Sequence, residues 1–183
     1  MRWWLRNVAT GAGVGFVVGL VVGGTLGRVF MRLLVLARDD TRGFETAMGA
    51  TIGDFTSRGT LSVYGFASFA GTLLGLGYAV CRPLLPPRMR SRTAVFVFGT
   101  TAFMLGQTVF TNREDFAILP VTLSLALAGA SVALTAAPVP VLIEKLAPDR
   151  ERRPGALAPG LVFLGLAGFA AFGLSGIAVA YSQ

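Results

Sequence analysis

The run Val8-Ala-Thr-Gly11-Ala-Gly-Val-Gly15-Phe-Val-Val-Gly19-Leu-Val-Val-Gly23-Gly-Thr-Leu-Gly27 places glycine at every fourth position from 11 to 27 and contains no charged residue. In a soluble helix each of these glycines costs about 1 kcal/mol relative to alanine. Inside a bilayer the backbone must satisfy its own hydrogen bonds in any case, and small residues at i and i+4 let a second helix approach backbone to backbone. The row therefore predicts a membrane-spanning helix built for packing, a glycine zipper, and the rest of the chain is read outward from it.

The composition agrees with that reading: 54% of residues are hydrophobic and only 14% charged, against about a quarter charged in soluble domains, and the mean hydropathy is +0.69. With roughly 20 residues per span, the 183 residues form one integral membrane domain, 1–183, of about five spans. The first is preceded by Arg2 and Arg6 around Trp3 and Trp4, a pairing suited to the headgroup region. Its apolar run of about 19 residues is longer than the core of a signal peptide, so an uncleaved span is expected. The helices are expected at about 8–37, 61–81, 93–111, 116–146 and 157–181. Arg28 to Ala37 either continues the first helix or lies along the membrane surface. In the second helix Ala67, Gly71, Gly75 and Ala79 repeat the four-residue step. Pro138 and Pro140 remove two backbone donors near the end of the fourth and predict a kink there.

Charge fixes the expected orientation. With five spans, Arg2, Arg6, Arg82, Arg88, Arg90, Arg92, Lys145, Arg150, Arg152 and Arg153 share one side with Glu144, Asp149 and Glu151, whereas the six cations of the other side, Arg28, Arg32, Arg38, Arg42, Arg58 and Arg113, are matched by six acids. By the positive-inside rule the N-terminus is inside and the C-terminus outside. This reading is an all-α polytopic bundle in the cytoplasmic (inner) membrane of a bacterium. All the cations but Lys145 are arginine, a skew that fits a high-GC genome. Topology and anionic lipid account for the basic loops, so no nucleic-acid partner is expected.

An ideal helix turns about 400° in four residues, so the glycine row drifts by roughly 40° per step and one straight partner cannot follow all of it. A crossing helix is expected to fill part of the groove and to leave the rest for another helix or subunit. Gly19→Leu is accordingly expected to disrupt packing and the same change at Val18 to be tolerated. The third helix reads as a lipid-facing strip of Val95, Phe98, Ala102, Leu105 and Val109, with Thr100, Thr101, Gln107, Thr108 and Thr111 turned inward.

Chemistry has little to work with. Histidine is absent and Cys81 is the single cysteine, which excludes the usual zinc sets and histidine-ligated haem, so no cofactor, metal or catalysis is expected. Arg28 and Arg32, four apart, are candidates for contact with lipid phosphate or another anion, with interfacial anchoring or pairing to Asp39, Asp40 or Asp54 as the structural alternative. Thr100, Gln107 and Thr111 are the candidates for lining a polar path.

Gly27-Arg-Val-Phe-Met-Arg-Leu-Leu34, followed after a polar loop by Arg58-Gly-Thr-Leu61, resembles multi-pass membrane proteins of high-GC bacteria. The resemblance covers about the first 80 residues and implies no activity and no functional residue. The function expected from the residues is non-enzymatic: association in the lipid bilayer with another membrane protein or with itself, as an accessory subunit or homo-oligomer. The alternative is a small passive channel or carrier for a small solute.

Overall fold

The structure, a computed structural model, describes residues 2–37, 43, 56–82, 85, 88–111 and 121–147. All regular secondary structure among them is helical. Helix α1 spans Arg2–Val18 and runs through a π-helical turn, Gly19–Gly23, directly into α2, Gly24–Ala37. Arg28 to Ala37 thus continues the first helix. Helix α3, Ser57–Cys81, starts at an N-cap whose Thr56 hydroxyl accepts from the Gly59 N–H at 3.1 Å, satisfying one of the donors that every helix start leaves open. Helix α4 spans Met89–Thr111, α5 Val121–Ala136 and α6 Pro138–Leu146. The helix ladder breaks at Ala137, where the two prolines withdraw their donors. The expected fifth helix, 157–181, and the start of the fourth, 116–120, lie outside the described residues.

Among the described residues three stretches are long and apolar enough to cross a membrane: Leu5–Ala37, Ser57–Cys81 and Thr122–Leu146. They pack around Val14, Val18, Tyr78, Leu85, Val139 and Ile143, with Val22, Val95 and Phe96 against that cluster. A smaller cluster of Met31 and Val63, flanked by Phe30, joins α2 to the beginning of α3.

Two expectations change. Helix α4 has no continuous lipid-facing strip: Phe98 is exposed, but Val95 packs on the core cluster and Leu105 lies against Gly129 of α5. The helix meets the α6 end of the bundle first and α5 further along, so its inward face changes along its length. The second change concerns the glycine row, which a single helix follows from end to end.

Candidate functional site

The row meets α3 running the opposite way. A Cβ built on Gly11 falls 2.6 Å from the Gly75 carbonyl oxygen and 2.9 Å from the Ala79 Cβ; on Gly15 it collides with the Gly71 carbonyl and lies 3.0 Å from the Gly75 Cα; on Gly19 it collides with the Ala67 carbonyl and lies 3.0 Å from the Gly71 Cα. The atoms in the way are mostly backbone, which cannot swing aside as a side chain can. Gly11, Gly15 and Gly19 thus face Ala67, Gly71, Gly75 and Ala79 in one seam.

The π turn explains why the seam does not end at Gly19. Bonds from i to i+5, such as the Gly24 N–H to the Gly19 carbonyl, put an extra residue in the turn and lessen the rotation per residue. The forward drift of the row is arrested at that point. A Cβ on Gly23 would lie 3.3 Å from that of Ala67, and on Gly27 it would lie 3.0 Å from Val63 Cγ1, still against α3. A Cβ on Gly24 would lie 2.7 Å from the Tyr64 ring, and one on Gly23 would lie 3.4 Å from Thr135 Cγ2 of α5. Each glycine of the row thus faces another helix of the same chain.

At one end of the seam Arg28, 7% exposed, donates through Nη2 to the Thr60 hydroxyl at 2.7 Å and to the Thr56 carbonyl at 3.5 Å, and its Nη1 lies 3.8 Å from Met31 Sδ. It ties α2 to the first turn of α3. Arg32, one turn on, is exposed, so the structure separates the pair: Arg28 has an internal structural role and Arg32 faces outward. Asp39, Asp40 and Asp54 lie outside the described residues. Thr60→Val removes a hydroxyl acceptor at 2.7 Å from a buried cation, a hydrogen bond of a class worth about 1.5–3 kcal/mol. The expected result is a loss of that order in unfolding free energy, measured in detergent, with Ser57→Ala on the exposed first turn as the control.

At the other end a carboxylate gathers three helices. Glu144 of α6 accepts at Oε1 from the Tyr78 hydroxyl at 2.7 Å, from Arg82 Nε at 2.9 Å and from Arg92 Nη1 at 2.7 Å, while Arg82 Nη2 donates to Oε2. Arg82, 1% exposed, closes the C-terminus of α3, its backbone N–H donating to the Tyr78 carbonyl. A cation there is favoured by the helix dipole. The Tyr78 ring is braced edge-on by Phe96 of α4, with centroids 5.1 Å apart. Sequence reading placed Tyr78 and Glu144 in the second and fourth helices and Arg82 and Arg92 in the connection after the second, and did not bring them together. The available signals were Tyr78 and Arg82, one turn apart, and Glu144 as the lone acid, next to Lys145, at the end of the apolar run Val139 to Ile143.

Thr100 is half-buried. The side chains of Gln107 and Thr111 lie outside the described residues, as does any arrangement of the proposed path through them. Among the described residues no three His, Cys, Asp or Glu side chains are grouped as a metal site would require.

Among the described residues the architecture is all-helical, with three membrane-length apolar stretches clamped by a glycine seam and by a polar node near each end. Compared with protein-family models, curated proteins and solved structures, the chain matches none.

Proposed function

We propose that the chain is a polytopic protein of the bacterial cytoplasmic membrane, with five spans, N-terminus inside and C-terminus outside, acting without catalysis by helix association as an accessory subunit or a homo-oligomer. The division of cations, ten on one side and a balanced six on the other, supports the orientation. Association is supported by one observation above all: Gly13 of α1 and Gly65 and Gly77 of α3 are exposed, and a Cβ on any of them would meet nothing within 4 Å among the described residues. The internal seam has no use for them, whereas on an outer face they leave gaps into which another helix packs.

Along the outer face of α3, Leu61, Gly65, Phe69, Leu73 and Gly77 stand at steps of four and are all exposed, with Phe66 beside them. Large apolar groups alternating with gaps on one helix face suit close approach by another helix. The association surface is therefore assigned to this outer face and not to the Gly11–Gly27 row, which α3 and α5 fill.

Extraction of the native protein in mild detergent, with determination of complex mass and co-purifying chains, tests the assignment. A mass above that of the 19.1 kDa chain, made up by further copies or by a stoichiometric partner, is expected, as is its reduction to the single-chain mass by Gly65→Leu with Gly77→Leu. A wild-type monomer overturns the reading.

A further inference from the structure

The end of the bundle that carries Glu144 has a second property. Gly11 lies against Gly75 and Ala79, so one turn earlier on α1 Arg6 comes level with Arg82 and the Glu144 node. Arg6, Arg88, Arg90 and Lys145 are all exposed there, and none has an acidic partner among the described residues. Glu144, the one described acid at this end, is committed to Arg82 and Arg92. Between the four cations stand exposed apolar side chains: Leu5 next to Arg6, Met89 between Arg88 and Arg90, and Leu146 next to Lys145.

We infer that this rim is a docking surface for anionic phospholipid headgroups. A soluble anion or a nucleic acid would be met by cations on a polar surface, whereas alternating cations and apolar side chains satisfy phosphate and acyl chain together. The Glu144 node contributes by holding the ends of α3, α4 and α6 in fixed relation, so the cations of α4 and α6 are presented as one rim. The inference rests on the membrane reading above.

The test titrates the purified full-length protein in neutral detergent with mixed micelles of phosphatidylglycerol or of phosphatidylcholine, following the thermal unfolding midpoint. Phosphatidylglycerol is expected to raise the midpoint more than phosphatidylcholine does, and 0.5 M salt to suppress the difference. Each surface cation near anionic lipid is worth about 1 kcal/mol, so Arg88→Gln with Lys145→Gln raises the half-saturating phosphatidylglycerol fraction by roughly ten- to thirtyfold. Arg58→Gln, a charge change at an exposed position on the opposite end, leaves it unaltered.

Equal response to the two lipids, or as large a rise for Arg58→Gln as for Arg88→Gln with Lys145→Gln, overturns the inference. Alkaline carbonate extraction of membranes distinguishes this from failure of the membrane reading itself. Wild type that stays in the pellet without lipid preference removes only the docking surface, and wild type that is released removes both.

Discussion

Gly15→Leu lowers the unfolding free energy of the chain by about 3 kcal/mol, the upper part of the range for forced overpacking, whereas Gly13→Leu changes it by less than about 0.5 kcal/mol, as expected of an exposed site. The two glycines are two residues apart in one helix and share the same intrinsic preference, so helix propensity cannot separate them. What separates them is their surroundings. At Gly15 even the first carbon of a side chain collides with the Gly71 carbonyl and reaches the Gly75 Cα at 3.0 Å, while at Gly13 it meets nothing. Relief requires α1 and α3 to move apart along the whole seam, because Gly11 and Gly19 are held as closely as Gly15. Gly71→Ala has a similar effect from the facing helix, since its added methyl would lie 2.6 Å from the Gly19 Cα. Helicity followed through denaturation in mixed micelles measures these differences, and equal losses at positions 13 and 15 would eliminate the seam as the source of stability.

The same geometry corrects the choice of control for Gly19→Leu. Val18 is 4% exposed and belongs to the central cluster, whereas Val17 is 55% exposed, so Val17→Leu is the neutral neighbour. The four-residue spacing in α1 and α3 made both packing faces legible in the sequence, because small residues at that interval leave a groove whatever else surrounds them. Two things were not legible. The π turn is a choice of hydrogen-bond partner, Gly24 to Gly19 in place of the α-helical Gly24 to Leu20, and an ideal periodicity of 3.6 carries no sign of it. The Glu144 node is a tertiary coincidence of residues 78, 82, 92 and 144, and charge counting by loop sorts such residues to a side of the membrane without saying which of them meet. Arg28 and Arg32 show the same limit: equal in type and one turn apart, they differ because only Arg28 comes opposite the first turn of α3.

Glu144→Leu is expected to cost about 3–5 kcal/mol, the class of effect seen when one partner of a buried ion pair is removed. The loss arises less from the missing attraction than from what remains: Arg82, 1% exposed, keeps its charge without the carboxylate that Nε and Nη2 both address. Tyr78→Phe, which deletes one neutral donor to the same charged oxygen, is expected to cost about 1.5–3 kcal/mol. The distinguishing result is the double variant. Arg82→Met with Glu144→Leu removes the buried charge together with the carboxylate, and replacing a whole buried pair by apolar groups is often near neutral, so the double variant is expected to be more stable than Glu144→Leu alone. A double-mutant cycle measures this as a coupling of about 2 kcal/mol between positions 82 and 144. Strict additivity would mean that the two side chains act independently, and the carboxylate would then have no claim to hold α3, α4 and α6 together at this end of the bundle.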